Sequence, residues 1–225
     1  MADQSTIALQ TRLRRIGLYA GNVDGIAGPL TKRALERYTE LFGGELELPQ
    51  YTKALHYRRG RTSTKWIVLH TMEAPKRKSI ARNCATYFAN TVIVASAHYC
   101  VDAEEAVQCV DEVDTAWHCQ GPSDRSIGIE LAGYAKQSPA DWCDEYNTGM
   151  LRVAASLIAR ISKVWGIPLE YIEGQQLIAG KPGVTTHVAI NKAYYAGKGH
   201  TDPGPNFPMQ SLLQQAKQAQ DARWP

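Results

Sequence analysis

WIVLHTME, residues 66 to 73, begins with four apolar residues and breaks at His70. A short apolar run of this length reads as a buried strand, here Trp66 to Leu69, with a histidine at its end. Downstream, KSIARNCATYFAN reads as a helix with Ser79 as its cap and Ile80, Cys84, Tyr87 and Phe88 on one face. Extended pieces follow in SAHYCVD, AVQCV and SIGIELAG. A long helix through MLRVAASLIARISKVW then carries Leu151, Ala154, Leu157, Ile158, Ile161 and Trp165 as its core stripe and stops at Gly166 and Pro168. GVTTH is a further extended piece ending in His187, and PMQSLLQQAKQAQ is a surface-type amphipathic helix. Strands interleaved with helices predict an α/β fold with one central mixed β-sheet flanked by helices.

Upstream the pattern is different. Leu9, Leu13 and Ile16 repeat at helical spacing until Gly17. In GNVDGIAGPLTKRALERY, Asp24-Gly25 supplies a turn and Pro29 a helix start, with Leu30, Ala34, Leu35, Tyr38 and Leu41 as the next amphipathic stripe. Two short helices around a glycine turn predict a small all-α N-terminal module. The 225 residues suffice for one substantial core plus such a module.

The formal net charge of +3 is mild and the basic residues are scattered, so nucleic acid is not implied. No apolar run approaches a membrane span, and the N-terminus lacks the plan of a signal peptide, so no membrane insertion is expected. Five cysteines form no CxxC pair and cannot all pair within one chain, which points to a reducing compartment during folding. Cys84, Cys100 and Cys109 read as core.

GKGHTDPGPNFP, residues 197 to 208, places His200 and Asp202 against a Pro-Gly-Pro. Proline pushes the residue before it out of the α region, so Asp202 is held extended and its carboxylate is aimed. Composition alone allows either an Asx-type turn or a ligand at this place. His70 and His187, both at strand ends, would complete a three-ligand set of the kind zinc enzymes use with a fourth position for water, but sequence separation alone cannot bring them together.

The motifs WIVLHTME, SAHYCVD, AWHCQG, SIGIELAG, TTHVAI and HTDPGPNFP, spanning about 65 to 208, resemble in identity and order those of zinc-dependent N-acetylmuramoyl-L-alanine amidases. The resemblance implies the fold these enzymes share with peptidoglycan recognition proteins, a Zn2+ cofactor held by His70, His187 and Asp202, and Glu130 as catalytic acid/base. It implies an assisting residue two positions before the metal aspartate, commonly lysine and here His200, which would act as a catalytic cation or brace the loop. It further implies that Trp117, His118 and His98 line the substrate side, His98 being read as a core or cleft histidine. Leu9-Gln10, Leu13, Gly17, Tyr19, Val23-Asp24-Gly25, Gly28-Pro29 and Thr31 resemble a peptidoglycan-binding module, with Tyr19, Asp24 and Gly25 as its wall-binding residues.

The expected organisation is therefore a module at 1–45, a linker at 46–64 and a zinc amidase domain at 65–225. The implied reaction hydrolyses the amide between N-acetylmuramic acid and the L-alanine of the stem peptide, with bacterial peptidoglycan as partner and the chain a monomer. The combination looks like a phage endolysin, made in the host cytoplasm without a signal peptide and released through a membrane lesion. Rival readings are a non-catalytic peptidoglycan recognition protein and a zinc peptidase cutting within the stem peptide.

Overall fold

The structure, a computed structural model, describes residues 2–44 and 47–224. Helix α1 (Gln4–Arg15) starts at Asp3, whose carboxylate accepts from the amides of Ser5 and Thr6. Helix α2 (Pro29–Phe42) begins on Pro29 and ends at Gly43 in the left-handed region. Strands β1 (Gln50–Tyr51), β2 (Tyr57–Arg58) and β3 (Trp66–Thr71) come next, then α3 (Ile80–Phe88), β4 (Tyr99–Val101), β5 (Ala106–Gln108) and β6 (Thr115–Ala116). A 3-10 turn at Pro122–Arg125 leads into β7 (Ser126–Leu131), followed by α4 (Pro139–Trp142) and α5 (Glu145–Trp165). The chain closes with α6 (Gln175–Ile178), β8 (Gly183–Thr186), α7 (His187–Tyr194) and α8 (Met209–Arg223).

Six strands form one sheet in the order β1-β5-β4-β7-β3-β8, parallel at every pairing except β4 with β5. The alternation of a strand sends successive side chains to opposite faces. Ile67, Leu69, Ile127, Ile129 and Leu131 accordingly pack with Ala154, Ile158 and Ile161 of α5 and Leu212 and Leu213 of α8. Trp66 and Val68 pack on the other face with Ala189 and Ile190 of α7, while Cys100 and Val107 meet Ala81, Ala85 and Phe88 of α3. The sheet is thus covered by helices on both sides, as expected.

Several finer expectations are corrected. Residues 47–64 are not a linker: β1 pairs with β5 at the edge of the main sheet, and β2 pairs with β6 in a separate antiparallel ribbon. The expected boundary at 45/46 lies outside the described residues. In α3 the buried face is Ile80, Ala81, Ala85 and Phe88, because small alanines allow the helix to lie close on β4 and β5; Cys84 is half-buried and Tyr87 exposed. Ser79 occupies the cap position with positive φ and makes no side-chain cap. In α2 the inward residues are Thr31, Ala34 and Leu41, and Leu30 and Leu35 are exposed.

The N-terminal helices are docked on the larger body. Arg14 Nε donates to Asp111 (3.1 Å) and Nη2 to Asp114 (2.6 Å). Arg15 Nε donates to Gln108 (3.0 Å), and the Arg15 carbonyl accepts from the Glu112 amide and the Gln108 side chain. Trp165 lies against Gly17, whose φ is +86°, and its indole N–H donates to Glu112 (2.7 Å). Glu112 is fully buried and also takes a charge-assisted bond from Arg160 (2.5 Å).

Gly17→Ala should therefore combine left-handed strain with a clash on the indole and cost about 2–4 kcal/mol. Gly43→Ala has positive φ but open space around it, and should cost about 1 kcal/mol. Urea unfolding of the two variants checks this; equal losses would show that the Trp165 contact contributes nothing.

Candidate active site

Parallel register assembles the site. On the adjacent strands β3 and β7, His70 stands opposite Glu130, so both side chains leave the sheet on the same face. On the other side of β3, Leu69 pairs with Thr186, which places His187, the next residue, level with His70. His187 is also the first residue of α7, whose start is capped by the Thr186 side chain accepting from the Ala189 amide. Asp202 arrives from the loop after α7: its carbonyl accepts from the Val188 amide (3.0 Å), and Asn191 Nδ2 donates to the His200 carbonyl (2.7 Å). Gly204 lets the loop press against the Ala135 carbonyl, where no side chain could fit.

The three expected ligands converge. His70, His187 and Asp202 are buried, with ligand atoms all within 4.8 Å of one another. His70 Nδ1 lies 3.1 Å from His187 Nδ1 and 3.1 Å from Asp202 Oδ2, and His187 Nδ1 lies 3.2 Å from Asp202 Oδ1. Burial lowers the His70 pKa against the opposing pull of Asp202. Burial would raise Asp202, but the His187 and His70 imidazoles set against its oxygens hold it far below the usual carboxylate range. A His70 imidazole biased toward neutrality and an ionised Asp202 are states a divalent cation requires, and with His187 they make an N,N,O set that suits zinc with one open position.

These groups lie in a cleft of about 830 Å³ that is also lined by Glu130, Trp117, His118, Cys84, Glu73, Arg58, Lys198 and His200. Burial pushes the Glu130 pKa well above the usual carboxylate value, with Cys84, Asp202 and Glu73 adding to the rise. His200 is largely exposed at the cleft mouth, stacked on His187 with ring centres 4.4 Å apart and its Nδ1 3.7 Å from Asp202. The loop is braced by its carbonyl, not its ring. Trp117 is 40% exposed, so it offers a wall to the cleft rather than a core contact.

Two expectations about substrate contact change. His98 is fully buried: its Nδ1 accepts from the Gly128 amide (3.0 Å) and its Nε2 lies 3.2 Å from the Asp114 carbonyl, so it sits beneath the site and not on the cleft wall. His118 borders the cleft, yet both ring nitrogens point into the protein, Nδ1 to His70 Nε2 (3.0 Å) and Nε2 to Ser126 Oγ (3.1 Å). Residues absent from the expectations include Arg58, hidden in the supposed linker, and Glu73, which accepts from Thr71 and the Ala135 amide.

In the N-terminal module, Tyr19 and Gly25 are buried, and Asp24, though exposed, is bonded to Gln10. The Gln10 side chain donates to the Tyr19 hydroxyl and Asp24 and accepts from the amides of Asp24 and Gly25, so these residues build the turn. The apolar side chains that do face outward are Val23, Ile26, Leu30 and Leu35.

A mixed sheet with two histidines and a glutamate at the ends of parallel strands, and an aspartate brought to them by the loop after α7, defines a chain with the fold of cell-wall amidases. A mutant of PlyL shares it with a TM-score of 0.55 at 17% identity, covering 76% of this chain and 99% of that one. The Staphylococcus aureus hydrolase AmiA, in complex with its ligand, gives 0.55 at 18% identity, covering 84% and 95%. AmpD gives 0.52 at 20% identity, covering 78% and 96%. No curated protein matches the chain significantly. Residues 60–205 match the N-acetylmuramoyl-L-alanine amidase family and residues 3–45 a peptidoglycan binding domain. The chain belongs to the N-acetylmuramoyl-L-alanine amidase family and is a peptidoglycan amide hydrolase.

Burial has a consequence for stability. It lowers the pKa of His98, helped by Arg61, and of His118, helped by His70 and its neighbours, well below 6.5. The unfolded chain takes up these protons near pH 6.5 while the native one does not, so stability is lost as pH falls below that value. The expected slope is about 1.4 kcal/mol per pH unit for each histidine. Because the raised Glu130 pKa acts in the opposite sense, urea unfolding of Glu130→Gln in the presence of EDTA at about pH 7.5 and 5.5 checks it; equal stabilities of that variant would contradict neutral burial.

Proposed function

We propose that His70, His187 and Asp202 hold one zinc ion and that Glu130 is the general acid/base for hydrolysis of the amide between N-acetylmuramic acid and L-alanine. The observation that carries this reading is the convergence of the three ligands beside Glu130, which is in register with His70 on the neighbouring strand. Bound zinc would supply Lewis acidity to polarise the scissile carbonyl and acidify water. Glu130, with its raised pKa, suits a group that accepts a proton from the attacking water and returns it to the leaving nitrogen. His200, which lines the cleft mouth, would donate toward the developing oxyanion in this reading. Trp117 would pack on sugar or stem peptide.

One zinc per chain is expected by metal analysis, with activity lost on chelation. Asp202→Ala should lower zinc affinity strongly. Glu130→Gln should bind zinc normally while kcat falls roughly 10²–10⁴-fold. Full activity of demonstrably zinc-free protein would overturn the mechanism. The products separate the rival readings: an amidase frees the L-alanine amine, a peptidase leaves L-alanine attached to muramic acid, and a recognition protein releases nothing.

The pairing of a peptidoglycan binding domain with an amidase supports an endolysin role. In this reading the chain acts as a monomer, is made in a host cytoplasm and reaches the wall through a membrane lesion. Among the described residues no helix is long and apolar enough to cross a membrane. A recycling amidase has little use for a wall anchor. The outward apolar residues Val23, Ile26, Leu30 and Leu35 are the surface that would meet the wall. Ile26→Ser with Leu30→Ser should weaken sedimentation with intact walls several-fold and leave cleavage of a soluble muropeptide unchanged. Unaltered wall binding would remove this surface from the anchor.

A further inference from the structure

His118 was expected at the substrate, yet it is spent inward. Its Nδ1 lies 3.0 Å from His70 Nε2, its Nε2 lies 3.1 Å from Ser126 Oγ, and Ser126 Oγ lies 2.9 Å from the Pro122 carbonyl. The last link sets the direction of the rest. A carbonyl only accepts, and a serine hydroxyl has one proton, so Ser126 donates to Pro122 and must accept from His118 Nε2–H. A neutral His118 then has no proton on Nδ1, which accepts from His70 Nε2–H. His70 in turn has its Nδ1 lone pair turned to His187 Nδ1 (3.1 Å), and His187 is then the ring that donates to Asp202 (3.2 Å).

A second observation shows that this placement is built. Ser126, Gly128 and Glu130 alternate along β7 and share the face that carries His70. The His118 ring lies over Gly128, where a Cβ would stand 2.7 Å from the ring's Cδ2 and Nδ1. The φ of Gly128 is not positive, so the glycine serves for room and not for conformation. One strand therefore anchors the ring through Ser126, makes space for it at Gly128 and presents Glu130 to the cleft.

We infer that His118 and Ser126 are positioning residues that fix His70 as the Nε2-protonated tautomer, with Gly128 as the seat that allows it. The inference rests on the zinc reading of His70, His187 and Asp202. Its effect is to aim the His70 lone pair before any metal arrives, so that binding requires no ring flip or proton exchange at this ligand. A hydrogen-bonded partner on the distal nitrogen of a ligating histidine is worth about 10- to 100-fold in metal affinity.

Two measurements test it. Long-range proton–nitrogen NMR of the metal-free full chain should show His70 protonated at Nε2 in the wild type and in mixed tautomers in Ser126→Ala and His118→Leu. Zinc affinity, by competition with a chromophoric chelator, should fall about 10- to 100-fold in His118→Leu and in Gly128→Ala, although neither changed residue is a ligand. His118→Asn retains an acceptor near the Nδ1 position and should stay within about threefold of wild type. A wild-type His70 in mixed tautomers, or the same affinity in His118→Leu as in wild type, overturns the relay. If the wild type takes up no zinc while His70 holds the Nε2 tautomer, the metal reading fails and the relay stands.

Discussion

The parallel register of β3 with its two neighbours is the constraint on which the molecule depends. Because His70 pairs with Glu130 and Leu69 pairs with Thr186, three strand ends deliver a glutamate and two histidines in one row. A slip of one residue in either pairing would turn the side chains to the opposite face of the sheet, into the apolar layer under α5. That layer resists the slip: Ile67, Leu69, Ile127, Ile129 and Leu131 all require the α5 side at the same time. The site is thus aligned by the burial of its apolar neighbours, and no bond among the site residues is needed to set their order.

The same alternation explains why so polar a cluster can be buried. His70, His118, His187 and Asp202 are all nearly inaccessible, and unpaired polar groups in such a place would be costly. Each has a partner, and several partners are backbone groups of rigid elements: the Val188 amide in the first turn of α7 for the Asp202 loop, and the Pro122 carbonyl in the turn before β7 for the histidine chain. Beneath them His98 joins the Gly128 amide to the Asp114 carbonyl, while the Asp114 carboxylate takes Arg14 from the N-terminal helices. The module and the hydrolytic body therefore share a boundary of buried polar contacts, a different arrangement from two units on a flexible tether.

What was legible in the sequence was whatever rests on local periodicity or on a dense motif. The apolar runs gave β3, β7 and α5, and the motifs that resemble the amidases named the residues that converge at the cleft. Strands β1 and β2 were not legible because two residues carry no period, and their pairing partners lie more than 50 positions downstream. The face of α3 was misread because alanines, weak in any hydrophobic pattern, were chosen by the close approach to the sheet, whereas Cys84 was turned to the cleft. Tyr19, Asp24 and Gly25 match a motif, and a motif alone does not say what each of its residues does. Here Gln10 holds them in the turn.

His118 shows the same limit at the site. A histidine beside a tryptophan in AWHCQG looks like a pair that meets ligand, and the two do border one cleft. Their exposures diverge because neighbours in an extended segment point opposite ways: Trp117 turns outward toward His56, with ring centres 5.8 Å apart, and His118 turns down onto Gly128. The spacing from Ser126 to Gly128 to Glu130 is a strand period, and in sequence it is only a serine, a glycine and a glutamate in SIGIELAG. Once the period is combined with the parallel pairing to β3, the three become an anchor, a seat and a cleft carboxylate on one face beside His70. A cleft carboxylate and the contacts of the ring behind His70 thus stand on alternate residues of one strand, which the parallel pairing sets beside His70.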